Sequence, residues 1–215
     1  MTSALNIESE ILGTWSYRLR LIGHHAPPEP PVYFTAALGE CQTKTLRLNT
    51  HTHTIATYKC RTQPSDFSPF LYPKECTSGS SEPTQIELSI TYEPVSCGEL
   101  QEVMLFVESA EGEVFEVPLI GTCTPPKPRG PIDVQGSYQL PIKNVFFSEV
   151  QFNCHVDNPF YKLNPMGKVA SKHMTHLTIE ASKDKSTSRV ERAILTVTCL
   201  TAPDLKWSYY LQSKL

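Results

Sequence analysis

Phe115-Glu-Val117-Pro-Leu119-Ile-Gly121 decides the fold, because apolar side chains alternate with other residues behind a leading aromatic. The same pattern occurs in Trp15-Ser-Tyr17-Arg-Leu19-Arg-Leu21-Ile-Gly23 and in Trp207-Ser-Tyr209-Tyr-Leu211. The copies that end at Gly23 and Gly121 are each followed by a cluster of prolines. A period of two predicts a β-strand with one buried face and one solvated face. The chain therefore repeats one strand three times.

The spacing of this strand predicts the domain organisation. Gly23 and Gly121 are 98 residues apart, and Trp15 and Trp207 are 192 residues apart. An interval of this size matches one small β-sandwich. We therefore expect an all-β protein made of tandem immunoglobulin-like β-sandwich domains. The expected domains are 24–124 and 125–215, with 1–23 as the terminal strand or strands of a preceding, truncated domain.

Two interpretations of 1–23 stay open, because a single hairpin is hard to stabilise alone. The chain is the C-terminal piece of a longer array, or this segment pairs with an edge of the following domain. The prolines of 26–31 lack amide donors, so they favour an extended, semi-rigid linker.

Short alternating segments predict the strands of each sandwich. In the first sandwich these are 32–34, 44–48, 55–60, 86–92, 103–107 and 114–120. In the second they are 132–134, 138–145, 150–156, a short piece near Phe160, 173–181, 193–198 and 207–211. The connections are a long surface loop over 64–83, a tight turn at Glu111-Gly112 and a polar loop over 183–188.

Composition excludes several classes of function. The 215 residues carry a net charge of −3 without a clustered basic segment, so we expect no nucleic-acid partner. No apolar run reaches the ~18 residues of a membrane span, so we expect no membrane insertion. The seven cysteines are scattered without a CxxC pair, and no signal-peptide pattern opens the chain. We therefore expect a cytoplasmic, reducing environment.

Three stretches carry a resemblance to a known family. They are Phe115-Glu-Val-Pro-Leu-Ile-Gly-Thr-Cys-Thr-Pro-Pro-Lys-Pro-Arg-Gly-Pro131, Leu140-Pro-Ile-Lys-Asn-Val145 and Val156-Asp-Asn-Pro159. In this order and spacing they resemble the C-terminal region of the hydin family, very large ciliary proteins built of ASH domains. ASH domains are similar to major sperm protein (MSP) domains. The stretch from Pro27 to Gly39 and the closing 207–211 fit the same region, so the resemblance covers nearly the whole chain.

The resemblance implies an architectural function in the motile ciliary axoneme, in the central pair apparatus that normal beating requires. The implied location is the axonemal cytoskeleton of a cilium or flagellum. The implied partners are other central apparatus proteins, with microtubules contacted indirectly. The family supplies no catalytic, cofactor-binding or metal-binding residues, so we expect no enzyme and no cofactor.

Two other functions remain as alternatives. One is an MSP-like adaptor that binds short acidic peptides in trafficking or membrane contact, which requires a concentrated basic groove. The other is a different ASH-domain flagellar scaffold. Lys127, Arg129, Lys143 and the lysines of 168–172 are candidates for contact with an acidic tubulin surface, although scattered lysines are usually only solvated.

Several histidines are candidates for metal binding or catalysis. His51 and His53 share one strand face and could form a zinc site with His24, His25 and Cys60, but solvated histidines are the simpler interpretation. His155 with Asp157, and His173 with His176, could suggest acid–base chemistry. No nucleophile motif accompanies them, so we interpret these too as surface residues. Asp157-Asn-Pro159 is predicted to be a turn.

The cysteines are predicted to be mainly small core residues. They are Cys41, Cys60, Cys76, Cys97, Cys123, Cys154 and Cys199. A disulfide between Cys60 and Cys97, or between another pair, is the alternative.

Overall fold

The computed structural model describes residues 2–20, 22, 26–50, 55–65, 68–79, 84–110, 112–182 and 190–213. These residues form strands and their connections, and they include no helix long and apolar enough to cross a membrane. Several predicted features lie outside the described residues: His24, His25, His51, His53, Glu111 and the loop 183–188. The expectation of an all-β, tandem-sandwich fold is confirmed.

The N-terminal segment is an antiparallel hairpin of β1 (Thr2–Ser9) and β2 (Gly13–Arg20). Its two strands form a sheet of their own. One face is apolar, and its five large side chains are 40–52% exposed: Leu5, Ile7, Trp15, Tyr17 and Leu19. The pattern of a half-buried strand is therefore present here without a facing sheet among the described residues.

The first sandwich has a five-stranded sheet, ordered β3-β10-β9-β5-β7, and a three-stranded sheet, ordered β4-β8-β6. The strands are β3 (Val32–Ala37), β4 (Gln42–Asn49), β5 (Thr57–Gln63), β6 (Phe70–Leu71), β7 (Glu75–Thr77), β8 (Gln85–Tyr92), β9 (Leu100–Ser109) and β10 (Val114–Thr124). Alternate residues of the long strands are buried in one core between the sheets. Period-two burial is what a two-sheet sandwich requires.

The prediction of a long surface loop over 64–83 is wrong in its described part. β6 and β7 lie inside that range, and Phe70 is buried. The Phe70 ring lies 5.4 Å from the ring of Phe34 and 5.0 Å from the ring of Tyr92, measured between centroids. Burial of this aromatic cluster therefore draws the segment onto the sandwich.

The second sandwich repeats the plan, with one sheet ordered β11-β18-β17-β13-β15 and the other β12-β16-β14. The strands are β11 (Arg129–Asp133), β12 (Ser137–Lys143), β13 (Val150–Val156), β14 (Tyr161–Leu163), β15 (Lys168–Val169), β16 (Met174–Ala181), β17 (Glu191–Cys199) and β18 (Ala202–Ser213). Their apolar faces form a second core. β15 is absent from the predicted strands, because two residues carry no periodicity.

Asn144 is a buried polar residue that follows β12. Its side-chain amide donates hydrogen bonds to the carbonyl oxygens of Ser148, Val169 and Ala170 at 2.8–3.0 Å. Its side-chain oxygen accepts a hydrogen bond from the backbone N–H of Phe146 at 2.9 Å. A fully paired amide of this kind can hold several loop segments together inside a core.

In each sandwich the first strand pairs in parallel with the last. Ala37 of β3 lies opposite Thr124 of β10, and Ile132 of β11 lies opposite Leu211 of β18. The repeated strand of the sequence is therefore an inner strand in both sandwiches, with β9 or β17 on its other side.

Gly121 ends the repeated motif of β10, and the structure explains why this position holds a glycine. A Cβ added at this buried position of β10 would overlap the ring of Tyr92. Tyr92 is itself fully buried, and its hydroxyl donates a hydrogen bond to Gln101 Oε1 at 2.8 Å. The ring therefore has a fixed position from which it cannot easily withdraw.

We predict that Gly121→Ala lowers the free energy of unfolding by about 2 kcal/mol, because the added methyl group overpacks the core. Chemical denaturation measures the change. Thr122→Ala, at the neighbouring exposed position, is the matched control and should change little. Gly121→Ala should lower the free energy of unfolding by less when Tyr92 has been replaced by Leu. An equal loss in the two backgrounds would contradict the packing described.

Candidate functional site

The histidines considered as catalytic candidates do not form a site among the described residues. His155, His173 and His176 are exposed. The Nδ1 of His173 lies 2.8 Å from the carbonyl oxygen of Ser171. No group of three or more potential metal ligands occurs in the part of the chain that the structure describes.

The turn predicted at Asp157-Asn-Pro159 is confirmed. The side-chain oxygen of Asn158 accepts a hydrogen bond from the backbone N–H of Phe160 at 2.9 Å. Asp157 Oδ1 accepts one from the backbone N–H of Ile194 at 2.8 Å. Asn158 therefore satisfies a local backbone group, as Asn commonly does in turns, whereas Asp157 ties the turn to β17.

The feature that best qualifies as a functional site is the junction between the two sandwiches. Leu38, Cys123 and Val145 are buried there in one apolar cluster, with Leu38 only 1% exposed. Four partly buried side chains pack against them: Cys97, Phe146, Leu205 and Trp207. The cluster takes residues from both sandwiches, so separating the sandwiches would expose apolar surface to water.

A close backbone approach accompanies this cluster. Gly39 has a φ of +90°, which L side chains rarely adopt, and its ideal Cβ would lie 3.4 Å from Trp207 Nε1. The turn is closed by a hydrogen bond from the Glu40 N–H to the Ala37 carbonyl oxygen at 2.9 Å, and the Leu38 N–H donates to the Thr124 carbonyl oxygen of β10 at 2.9 Å. Arg129 Nη2 donates to the Gly39 carbonyl oxygen at 3.5 Å. Glycine therefore suits this turn by its backbone freedom.

Two ion pairs cross the same junction. Lys143 Nζ lies 3.2 Å from Glu93 Oε2, and Lys127 Nζ lies 3.6 Å from Glu40 Oε2. Both pairs are partly exposed, so each contributes at most about 1 kcal/mol and mainly favours one orientation of the sandwiches. The apolar cluster is therefore the larger stabilising term.

The remaining basic candidates also have contacts within the molecule. Lys168 Nζ lies 3.5 Å from Glu149 Oε1, and Lys172 Nζ lies 4.4 Å from the centroid of the Phe147 ring. Burial lowers the pKa of Lys172 and nearby Lys143 lowers it further, while Glu93 raises it. These cations neutralise or cover local groups rather than forming one open basic groove.

A small cavity of about 170 Å³ opens beside the junction. Its lining includes Gly39, Arg129, Phe152, Trp207 and Tyr209. Its volume is below the ~300 Å³ at which ligand pockets usually begin. The cavity therefore fits a gap between packed surfaces better than a substrate site.

The suggested pairing of Cys60 with Cys97 is wrong. Cys60 Sγ lies 3.9 Å from Cys76 Sγ, because β5 and β7 are neighbouring strands. Cys97 Sγ lies 3.1 Å from Cys123 Sγ in the junction cluster. All seven cysteines are free thiols, and Cys60, Cys123 and Cys199 are buried as predicted for core residues.

Sequence reasoning identified Trp207, Lys127, Arg129 and Lys143 but did not place them at one junction. It gave no role to Glu93 or Asn144. The proline linker at 125–126 signals that two units meet, but only the fold shows which side chains converge there.

We predict that Leu38→Ala lowers the free energy of unfolding by about 3 kcal/mol, because it leaves a cavity in the junction cluster. Urea unfolding followed by tryptophan fluorescence measures the change. Leu71→Ala removes the same atoms at an exposed position and is the matched control, with an expected change below about 0.5 kcal/mol. Equal effects of the two substitutions would contradict a packed junction.

Comparison with known proteins identifies two curated relatives. The human hydrocephalus-inducing protein homolog is 31% identical, over 97% of this chain and 4% of that protein. The mouse hydrocephalus-inducing protein is 30% identical over the same shares. The chain thus spans about 4% of the length of these relatives. No protein-family model matches the chain.

Solved structures show only a distant likeness. The CupB2 chaperone of Pseudomonas aeruginosa is 13% identical with a TM-score of 0.34, covering 84% of this chain and 96% of that one. The CsuC–CsuE chaperone–adhesion subunit complex of Acinetobacter baumannii is 13% identical with a TM-score of 0.34, covering 86% and 97%. Because both TM-scores are low, these likenesses carry no functional argument.

The sequence similarity, in contrast, runs through both sandwiches and the junction at about 30% identity. The chain is therefore similar, over nearly its whole length, to one segment of the hydrocephalus-inducing proteins.

Proposed function

We propose that this chain is a structural and interaction module of the motile ciliary axoneme, acting as a hydin-like part of the central pair apparatus needed for beating. The similarity to hydin over 97% of the chain supports the assignment. The packed junction between the sandwiches is the observation that supports a mechanical function. A module of this kind transmits position and force and does not catalyse a reaction.

The stiffness of the two-sandwich unit depends on the contact between the sandwiches as well as on the linker. A chain of flexibly joined domains bends freely, whereas a buried contact between neighbours limits bending. Here Leu38 and Trp207 belong to one apolar cluster, and the Lys143–Glu93 ion pair crosses the same junction. The two sandwiches therefore act as one stiff element, as stacked repeats do when each unit contacts its neighbours.

We also propose that the domains are 1–23, 24–124 and 125–215. The β1–β2 hairpin matches the β9–β10 and β17–β18 hairpins in its closing motif. Its apolar face is exposed, whereas the equivalent faces of the other two hairpins are buried by facing sheets. We therefore assign the hairpin to the end of a preceding sandwich.

The proposed partners are other central apparatus proteins, with indirect contact to microtubules. Exposed strand edges offer unpaired backbone groups that a partner strand can complete. The alternative of an adaptor for acidic peptides is less favoured, because Lys127, Lys143 and Lys168 are already paired with carboxylates.

A segment exchange in cells with motile cilia tests the proposal. Hydin whose corresponding segment is replaced by this chain should localise to the axoneme and support beating. The exchange carrying Leu38→Ala should localise but beat abnormally, while the exchange carrying Leu71→Ala should behave as the unmodified chain. Localisation of the unmodified exchange away from the axoneme would contradict the proposal.

A further inference from the structure

Cys97 and Cys123 form a close pair of thiols at the junction. Their sulfur atoms are 3.1 Å apart, and they lie 3.5 Å and 3.4 Å from the same Thr124 carbonyl oxygen. Cys60 and Cys76, the other neighbouring pair, are separated by 3.9 Å between sulfurs. A disulfide requires two side chains that can bring their sulfurs to bonding distance without moving the backbone. The Cys97–Cys123 pair meets this requirement best.

The two thiols differ in their exposure to solvent. Cys97 is half-buried in the connection between β8 and β9, with exposed neighbours Ser96 and Gly98. Cys123 is 7% exposed near the end of β10. A small disulfide in solution can therefore reach Cys97, while Cys123 is reached mainly from Cys97.

We propose that Cys97 and Cys123 are a modification site, at which a reversible disulfide fastens the β8–β9 connection to the end of β10 beside the junction.

The chemistry is thiol–disulfide exchange with a low-molecular-weight disulfide such as oxidised glutathione. The Cys97 thiolate attacks one glutathione sulfur, so a mixed disulfide forms and one glutathione thiolate leaves with the electron pair of the broken bond. Cys123 then attacks the Cys97 sulfur, and its proton goes to the second departing glutathione. The net reaction converts two protein thiols and one oxidised glutathione into one protein disulfide and two reduced glutathiones.

The order of these steps follows from the surroundings of the sulfurs. Burial raises the pKa of Cys123 to about 12, and the adjacent Cys97 adds to the increase. At neutral pH Cys123 in the reduced pair is therefore almost entirely the thiol, so it does not start the exchange. It reacts only after Cys97 has formed the mixed disulfide, and its proton then passes to the departing glutathione. Burial also raises the pKa of Cys60 to about 12 and raises the pKa of Cys76. The half-buried Cys97, with its exposed neighbours, is thus the better entry point.

The bond would act on the junction. The connection that holds Cys97 also begins with Glu93, which pairs with Lys143 of the second sandwich. Cys97 itself packs in the cluster that includes Trp207. Linking this connection to β10 would restrict its movement and so hold the ion pair and the cluster together. Reduction would release that restriction.

The test uses the purified chain incubated with oxidised glutathione and then with an alkylating reagent, followed by peptide mass spectrometry. We expect a peptide pair joined through Cys97 and Cys123, lighter by two hydrogen atoms than the reduced pair. Thermal unfolding of this oxidised form should occur about 5 °C higher than that of the reduced form. Excess reduced glutathione should reverse both changes.

Three variants make the result decisive. Cys97→Ser should abolish the link and the shift in unfolding temperature, whereas Cys123→Ser should leave glutathione attached to Cys97. Cys76→Ser, at the more widely separated pair, should leave the link at its original level. If Cys123→Ser fails to fold, the proposal is tested by Cys97→Ser alone, through the loss of the link and of the shift in unfolding temperature. Unreacted Cys97, persistent glutathione on Cys97 of the original chain, or a predominant Cys60–Cys76 link would overturn the proposal.

Discussion

The parallel pairing of the first and last strands is the constraint on which the rest of the structure depends. Parallel strands run in the same direction, so β3 and β10 both end at the same end of the first sandwich, where Ala37 lies opposite Thr124. The turn after β3 and the linker after β10 must therefore emerge side by side. In the second sandwich β11 pairs in parallel with β18, with Arg129 opposite Tyr209. Parallel pairing of the first and last strands in both sandwiches thus places the end of the first sandwich beside the beginning of the second.

The junction follows from that geometry. Leu38, which follows β3, and Cys123, near the end of β10, pack in one cluster with Trp207 of β18. The buried apolar contact provides most of the stabilisation, and the Lys143–Glu93 ion pair favours one orientation. The close thiol pair of Cys97 and Cys123 lies in the same place. The proposed mechanical role and the proposed modification therefore depend on one contact region.

The repeated strand, the all-β class and the long alternating strands could be predicted from sequence, because period-two burial leaves a direct trace in the order of residues. Phe70 could not, since its burial depends on Phe34 and Tyr92, which are far away in the chain. The burial of Asn144 could not be predicted either, since two of the three carbonyl groups that pair with its side-chain amide, those of Val169 and Ala170, are far away in the chain. The junction was missed for the same reason: Leu38 and Trp207 carry no local pattern that records their contact.

The junction holds the two sandwiches in one relative orientation. Residual dipolar couplings of backbone amides in a weakly aligned sample test it most directly, because they report the orientation of each N–H bond against a common frame. A packed junction predicts that couplings from 26–124 and from 129–213 fit a single alignment tensor. Two distinct tensors, with a clearly weaker alignment of one sandwich, would contradict it.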